Sequence, residues 1–208
     1  MSLGAVSAKE RGFWAPVLLL GKYLSAGAIG LLLGAFVTLA VVERGKGFGA
    51  VEIGPWTNWS RSGTSNIDPY SRAILAYSGE MPLSESEGAS FVAYGDSNGA
   101  AFDPSCDYLF TGEIPLARYW TLTLLSPDGA PVANRAGRYG YTSSEILRSS
   151  NGQFEIAISR NARPGNWLPS GSASKFVLIL RLYDSELGAP VGAMDAAKMP
   201  RLLKGRCE

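Results

Sequence analysis

The sequence has 208 residues, of which 46% are hydrophobic and 18% are charged, so a folded core is expected rather than disorder. A formal net charge of +1 provides no broad basic field, which argues against a nucleic-acid partner. The chain contains no histidine. This absence excludes Ser-His-Asp triads, Cys-His pairs and histidine-ligated zinc. We therefore predict no catalytic residues, no cofactor and no metal.

One candidate membrane span lies near the N-terminus. Tyr23 to Val42 are twenty consecutive uncharged positions without a polar stripe. About 20 apolar residues in a helix cross the hydrocarbon core of a bilayer. A cleaved signal peptide is the rival interpretation, but its apolar region is usually about 7–15 residues long and ends at a small-residue site, which Val41-Val42-Glu43 does not offer. We predict an uncleaved helix over residues 23–42 that follows a cytoplasmic tail, residues 1–22.

The orientation of this helix is weakly encoded, because the basic side chains flanking its two ends are equal in number. The short N-terminal tail, with basic residues close to the span, favours an N-terminus in the cytoplasm. The expected location is therefore a bacterial inner membrane, crossed once, with the C-terminal domain in the periplasm.

Small residues recur every four positions along the predicted helix, at Ala26, Gly30, Gly34 and Thr38. Such spacing places them on one face and lets a second helix approach closely. Small residues are also common in membrane spans generally. Self-association, or packing against an envelope protein partner, is one of two open interpretations of this face.

The two cysteines, Cys106 and Cys207, lack the close spacing of a zinc knuckle or a redox Cys-x-x-Cys motif. They are either unpaired thiols or a disulfide. Export to an oxidising compartment favours the disulfide, which would attach the C-terminal tail to the domain.

Residues 43–54 are expected to form a glycine-rich linker, and residues 55–208 a single extracytoplasmic β domain. Near its start, Trp56 and Trp59 are interpreted as interfacial anchors just outside the bilayer. A helix is predicted from Asp68 through Tyr77. Its first residue is the N-cap, Pro69 takes the first helical position, and Gly79 is the expected C-terminal stop.

From residue 89 onwards, apolar side chains recur with the period of a strand. Strands are predicted at Ala89 to Gly95, Ala100 to Asp103, Arg118 to Ser126, Gln153 to Ile158 and Lys175 to Asp184, the last apolar on both faces as in a central strand. Turns are predicted at 96–99 and 126–129, and a helical turn after the capping-box sequence 142–145. The fold class is mainly β: a jelly-roll-like β-sandwich of about seven to nine strands with one or two short helices.

Four motifs carry a family resemblance, and their order and spacing make it specific. They are Ala117-Arg118-Tyr119-Trp120-Thr121-Leu122-Thr123-Leu124, Gly137-Arg138-Tyr139-Gly140-Tyr141, Arg163-Pro164-Gly165-Asn166-Trp167-Leu168-Pro169 and Leu180-Arg181-Leu182-Tyr183. Over residues 105–190 the chain resembles the bacterial family called domain of unknown function 1214. The resemblance implies an envelope or exported β-sandwich protein, often accompanied by a domain of unknown function 1254. It implies no catalytic residues.

Within these motifs, the candidate ligand-binding residues are Arg138, Tyr139, Asn166 and Trp167. Convergent polar and aromatic side chains of this kind suit an anionic or sugar-like ligand. The alternative is structural packing, in which the turn before Trp167 directs its ring onto one end of a sandwich.

Two catalytic patterns occur without the context that they require. Residues 95–99 match G-x-S-x-G, which needs a strand-to-helix turn and a histidine, and residues 172–175 match S-x-x-K but lead into a strand. We interpret both as non-catalytic. The leading hypothesis is a single-pass membrane-anchored envelope protein with a non-catalytic β domain that acts through protein interactions. The alternatives are a small anionic-ligand or glycan-binding domain and a histidine-free hydrolase.

Overall fold

A computed structural model describes residues 8–43, 49–59, 63–78, 81–84, 86–185 and 196–207. The chain divides into two compact units, residues 1–45 and 46–208.

The first unit is one long helix, α1, which spans Ala8–Glu43. It begins earlier than the predicted residue 23, so part of the expected tail is helical as well. Within it, Leu19–Glu43 is a run of 25 residues whose most apolar 18-residue window has a mean hydropathy of 2.2 and no buried portion. A helix of this length and composition can cross a membrane, a property shared by anchors and signal sequences.

The second unit begins with a β-hairpin and a short helix, α2, which spans Pro69–Ser78. Asp68 is the N-cap, as predicted, because its Oδ1 accepts hydrogen bonds from the backbone nitrogens of Tyr70 and Ser71, each at 3.0 Å. Slight burial raises the pKa of Asp68, but the hydrogen bonds from Ser71 and Tyr70 outweigh it and hold this pKa below its usual value. The predicted stop, Gly79, lies outside the described residues.

Ten strands occur in the described part of the second unit. In chain order they are β1 Ala50–Ile53, β2 Trp56–Trp59, β3 Gly88–Ala93, β4 Cys106–Thr111, β5 Ala117–Leu125, β6 Gly140–Thr142, β7 Glu155–Ser159, β8 Asn166–Pro169, β9 Val177–Ser185 and β10 Arg201–Cys207. A short 3₁₀ helix, Ala196–Lys198, precedes the last of them.

These strands form two sheets that enclose one core. The larger sheet has the order β1-β2-β3-β9-β5-β6, and the smaller has the order β10-β4-β7-β8. Phe91 and Leu180 from the larger sheet meet Phe110 and Ile156 from the smaller sheet in one buried apolar cluster. The mainly β, sandwich-type fold predicted from the sequence is confirmed.

The alternation of apolar and polar residues in the sequence correctly predicted the central strands of the larger sheet. In β5, Trp120, Leu122 and Leu124 are buried while the residues between them are partly exposed. Strand β9 pairs with β3 on one side and β5 on the other, which explains why it is apolar on both faces.

The start of the domain differs from the prediction. Strand β1 falls inside residues 43–54, which were expected to be a linker. Trp56 is not an interfacial anchor: its side chain is fully buried, and its Nε1 donates a hydrogen bond to the carbonyl oxygen of Pro200 at 2.7 Å. Trp59 is partly buried against a small apolar cluster formed by Val92, Val177 and Ile179 on the larger sheet.

Two local predictions in the loops also change. The helical turn predicted after residues 142–145 is absent; these residues themselves form a turn, in which the Glu145 nitrogen donates to the Thr142 carbonyl at 3.1 Å and the Glu145 carboxylate accepts from the Thr142 nitrogen at 3.2 Å. The strand predicted at residues 100–103 is reduced to one isolated bridge between Gly95 and Ala101. The turn at 96–99 is confirmed by a hydrogen bond from the Gly99 nitrogen to the Asp96 carbonyl oxygen.

A disulfide joins Cys106 and Cys207, as predicted. Cys106 begins β4 and Cys207 ends β10, and the two residues oppose each other in the antiparallel pair. The bond therefore attaches the C-terminal strand to the smaller sheet.

Candidate functional site

Three of the four candidate binding residues lie where the edge strands of the two sheets meet. Arg138 precedes β6, and Asn166 and Trp167 begin β8. The Arg138 Nη1 donates to the Tyr141 hydroxyl oxygen at 2.9 Å and to the Trp167 carbonyl oxygen at 3.1 Å. Its guanidinium carbon lies 5.0 Å from the centre of the Tyr141 ring, within the range of a cation–π contact. The arginine is thus held by internal partners.

Tyr141 is the centre of this network. Its hydroxyl accepts a hydrogen bond from the Trp167 backbone nitrogen at 3.0 Å and lies 3.3 Å from the Trp167 carbonyl oxygen, to which it donates. The Trp167 indole Nε1 donates to the carbonyl oxygen of Ser159 at 3.0 Å. The polar groups of these side chains point at backbone atoms of the domain itself.

Asn166 is buried and makes three hydrogen bonds to backbone groups. Its Nδ2 donates to the carbonyl oxygens of Leu147 and Glu155, each at 2.9 Å, and its Oδ1 accepts from the Leu147 nitrogen at 2.7 Å. An amide with this pattern fixes the loop before β7 onto β8. No further strong donor of this side chain is left for a ligand.

Tyr139 differs from its three companions. Its side chain is 44% exposed, and its backbone carbonyl oxygen accepts from the Leu124 nitrogen at 2.9 Å. The structure thus brings Arg138, Asn166 and Trp167 into one network and leaves the ring of Tyr139 at the surface. This arrangement supports structural packing for the first three residues.

Tyr141 was not among the candidate residues predicted from the sequence, although it ends the family-like motif of residues 137–141. The sequence signal was weak, because Tyr139 and Tyr141 are two positions apart and a strand would place both rings on the same surface. Burial distinguishes them, since Tyr141 is 7% exposed. Sequence alone could not show that its hydroxyl reaches β8, because that contact joins strands 26 residues apart.

The two patterns that resemble catalytic motifs have structural roles. The Ser97 hydroxyl oxygen accepts a hydrogen bond from the Leu202 nitrogen at 2.8 Å, and the Ser97 nitrogen donates to the Leu202 carbonyl. Ser97 therefore attaches the 96–99 turn to β10. Ser172 and Lys175 are exposed in the segment that leads into β9. Within the described ranges, no three His, Cys, Asp or Glu side chains cluster as metal ligands would.

Charged side chains of the family-like motifs make ion pairs at the surface. Arg163 pairs with Asp107, which joins the loop between β7 and β8 to strand β4. Arg118 lies 3.7 Å from Asp184 across two exposed strand ends. Exposed pairs of this kind contribute little, about 0–1 kcal/mol, so they orient these strands more than they stabilise them.

A family model matches the region that contains this network. Residues 87–187 match the model described as "Protein of unknown function (DUF1214)". The matched segment, just under half of the chain, is similar to the DUF1214 family. The resemblance recognised from the motifs is confirmed. The DUF1214 segment runs from β3 to β9, so the β1–β2 hairpin and β10 lie outside it.

One solved structure supports the fold and nothing further. The VPA0106 protein from Vibrio parahaemolyticus is 18% identical with a TM-score of 0.56, over 89% of this chain and 46% of that chain. An uncharacterized protein from Burkholderia cenocepacia is 15% identical with a TM-score of 0.39, over 59% of this chain and 30% of that chain. The chain therefore spans less than half the length of either protein. No curated protein is significantly similar to it.

Proposed function

We propose that this protein is anchored once in a bacterial inner membrane by α1, with its N-terminus in the cytoplasm, and that its DUF1214-containing domain acts in the periplasm by binding other proteins, without catalysis. The observation that carries the proposal is the 25-residue run Leu19–Glu43, which is mainly apolar and whose most apolar window has no buried portion. Such a surface is strongly unfavourable in water and favourable in the hydrocarbon core of a bilayer.

The disulfide supports a location outside the cytoplasm. Disulfides persist in oxidising compartments, whereas the cytosol keeps most thiols reduced. The bond between Cys106 and Cys207 links the first strand of the smaller sheet, in chain order, to the last, at a sequence separation of 101. A domain stabilised in this way is suited to the periplasm.

A non-catalytic role is supported by the chemistry of the side chains. The chain has no histidine, the residue most often used for acid–base catalysis near neutral pH. Arg138 and Asn166 are occupied by internal hydrogen bonds, and Ser97 is bonded to β10. We infer that the domain acts through its surface.

Membrane fractionation of the full-length chain tests the anchor. We expect the unprocessed protein, identified by intact mass, in the membrane fraction after alkaline washing. Leu32→Arg should release a large share of it, because an arginine at the centre of a span costs about 2.5–3.5 kcal/mol of insertion. Tyr77→Arg, at an exposed position of α2, is the control and should stay in the membrane. A shortened, soluble product would show instead that the helix is a signal sequence.

Protease treatment of spheroplasts tests the orientation. With the domain in the periplasm, added protease should digest it while a cytoplasmic control protein survives. Protection of the domain until the membrane is lysed would place it on the cytoplasmic side and contradict the proposal.

Partner binding through α1 is tested on its small-residue face. Ala26, Gly30, Gly34 and Thr38 all lie within the helical run, and a side chain added at Gly30 or Gly34 meets only open space in the isolated chain. If this face packs on a second helix, Gly30→Leu with Gly34→Leu should abolish crosslinked species in membranes. Gly21→Leu is the matched control, since nine positions at 3.6 residues per turn place it on the opposite side of the helix, about 180° from Gly30. Equal crosslinking in all variants would remove this role from α1.

The ligand-binding alternative at the β6–β8 edge makes a different prediction. If Arg138 and Trp167 form a binding site, substituting them should abolish binding and leave the unfolding midpoint unchanged. Their internal hydrogen bonds favour the opposite result, in which Arg138→Gln lowers the midpoint.

A further inference from the structure

A cleft of about 620 Å³ opens on the β domain at the end of the sandwich where β5 begins. One wall is the connection between β4 and β5, residues 112–116, and the other is the loop that precedes β7, residues 148–154. Lys198, at the end of the 3₁₀ helix, adds a third side. The Arg138 network supplies none of the lining residues of this cleft, and the sequence analysis assigned none of those residues a binding role.

The floor of the cleft is aromatic. Trp120 and Phe154 stack with their ring centres 5.4 Å apart. Trp120 is only 4% exposed, but its indole nitrogen is not among the fully enclosed atoms without a partner, and no described residue accepts its hydrogen. Because this tryptophan lines the cleft, a ligand oxygen can supply the acceptor that the domain does not.

The rim of the cleft is cationic. The guanidinium carbon of Arg148 lies 5.1 Å from the centre of the Phe154 ring, and its Nη1 donates to the carbonyl oxygen of Gly152 at 3.0 Å. These two contacts hold the guanidinium in place and leave other N–H donors of the fork available. Lys198 is exposed and makes no ion pair with a described residue. The cleft is also lined by one acidic residue, Glu113, which offsets one of these two positive charges.

The remaining walls are apolar. Ile114 is partly buried against the core, and Leu116 is 79% exposed at the mouth of the cleft. A cationic rim beside apolar walls suits a ligand with one negative charge and a hydrocarbon part. The excess of a single positive charge does not favour a dianion such as phosphate. A sugar is also disfavoured, because the two aromatic rings stack on each other and Trp120 offers no free face.

We propose that this cleft binds a small organic carboxylate with an apolar chain. The carboxylate accepts hydrogen bonds from Arg148, Lys198 and the Trp120 indole, and the chain lies against Ile114 and Leu116. The inference gives the β domain a ligand beyond the proposed protein interactions. It rests on the described β domain and not on membrane anchoring, so either proposal can fail without the other.

Calorimetric titration of the full-length protein in phosphatidylcholine nanodiscs with hexanoate tests this site. Hexanamide has the same shape without the charge, and inorganic phosphate has the charge without the chain. We expect hexanoate to bind, hexanamide to bind at least about tenfold more weakly, and phosphate to give no detectable heat. Phosphate binding as tight as that of hexanoate would reassign the cleft to inorganic anions, and equal binding of hexanamide would show an apolar pocket without anion recognition. Either result overturns the proposal.

Paired lysine variants locate the site. Lys198→Gln should weaken hexanoate binding about tenfold, because it removes one charge-assisted contact. Lys175→Gln, an equal loss of charge before β9 at the opposite end of the larger sheet, should have no effect. Trp120→Phe should weaken binding while keeping an aromatic floor, and a denaturation curve for each variant separates weakened binding from unfolding. Binding that is insensitive to Lys198→Gln in folded protein, or equally sensitive to Lys175→Gln, would refute this location.

Discussion

The hydroxyl oxygen of Tyr141 lies 3.0 Å from the backbone nitrogen of Trp167, and this hydrogen bond joins the two sheets along one edge of the sandwich. Tyr141 belongs to β6, the last strand of the larger sheet, and Trp167 to β8, the last strand of the smaller. Exposed strand edges invite pairing with other chains. Here a phenol and a guanidinium connect the two neighbouring edges.

A second aromatic side chain connects the sheets on the other side. The Trp56 indole donates to the Pro200 carbonyl oxygen at 2.7 Å, which ties β2 of the larger sheet to the segment that enters β10. Of the strands connected by these two contacts, β6 and β8 lie within the DUF1214 match. Strands β2 and β10 lie outside it. The family segment thus supplies most of both sheets, and the flanking strands complete one side.

Tyr141→Phe should destabilise the domain by about 1–3 kcal/mol, because it leaves the Trp167 nitrogen and a donor of Arg138 without their acceptor. Tyr139→Phe removes the same atom from an exposed side chain and should change stability by less than about 0.5 kcal/mol. Urea denaturation of the two variants beside the native protein gives both numbers. Equal stability of all three would mean that the hydroxyl network does not support the sandwich edge.

The long strands were predictable because burial imposes its period on their sequence. In β5 the alternation of Trp120, Leu122 and Leu124 with polar residues gives both the strand and its buried face. In β9 a run apolar on both faces indicates a central strand. The cysteine pairing followed from the compartment implied by the N-terminal helix. The two strands were predictable because their pattern lies in neighbouring residues, and the disulfide was predictable because the chain has only two cysteines.

The strands that the sequence did not predict are defined by pairing with other strands and not by an apolar period of their own. In β10 only Leu202 is buried, so no apolar alternation marks it, and its pairing with β4 defines it. Strand β8 follows Pro164-Gly165, a turn signal, and pairs in parallel with β7 after a connection of only a few residues. Parallel neighbours are usually joined by a dozen residues or more, so sequence rules argue against this pair.

Three of the four candidate residues lie together in the structure, and their binding role stays a prediction. Arg138 and Trp167 do meet, as the motifs suggested. Whether such a meeting forms a binding site or a structural contact depends on where the donors point. Arg138 donates to the Tyr141 hydroxyl and to a backbone carbonyl, and the Asn166 amide donates to two backbone carbonyls; composition and spacing do not encode these partners.

Reduction of the disulfide should weaken the attachment of β10. In the chain-entropy model, a bond closing a loop of about 100 residues stabilises a fold by up to about 4.7 kcal/mol, and strain reduces that value. We expect the thermal midpoint of the native protein to fall markedly when a reductant is added. Cys106→Ser with Cys207→Ser should have the lower midpoint at the outset and no response to reductant. A native protein indifferent to reductant, with two reactive thiols, would contradict the pairing.

Asp103 should make stability depend on pH in the acid range. Its Oδ1 accepts from the Ser105 hydroxyl at 2.7 Å and from the Ser105 nitrogen at 2.9 Å. These hydrogen bonds, helped by the charge of Lys204, lower the pKa of Asp103 below its usual value. A carboxyl with a lowered folded-state pKa stabilises the fold above its ordinary pKa, and this contribution disappears as pH falls through the lowered value.

The test compares urea midpoints of the native protein and Asp103→Asn at neutral pH and near pH 2.5. The variant should be less stable than the native protein at neutral pH, and this difference should shrink in acid. Glu113→Gln, at an exposed carboxyl, controls for a simple loss of negative charge. A difference that stays constant with pH would show that the ionised carboxylate of Asp103 contributes nothing to folding.

Gly88 is the glycine whose replacement should be most damaging in the larger sheet. It begins β3 with a φ of 150°, and a Cβ added there would collide with the backbone carbonyl of Leu182 on β9. Because the obstacle is the backbone of a central strand, it cannot move aside without breaking the sheet. Gly88→Ala should therefore cost at least about 3 kcal/mol. Gly99 has a φ of 84°, but a Cβ added there meets open space. Gly99→Ala should therefore cost only the strain of a left-handed backbone at an alanine, about 1–2 kcal/mol of folding stability. Chemical denaturation of both variants measures the difference, and equal losses would mean that β3 and β9 do not approach each other this closely.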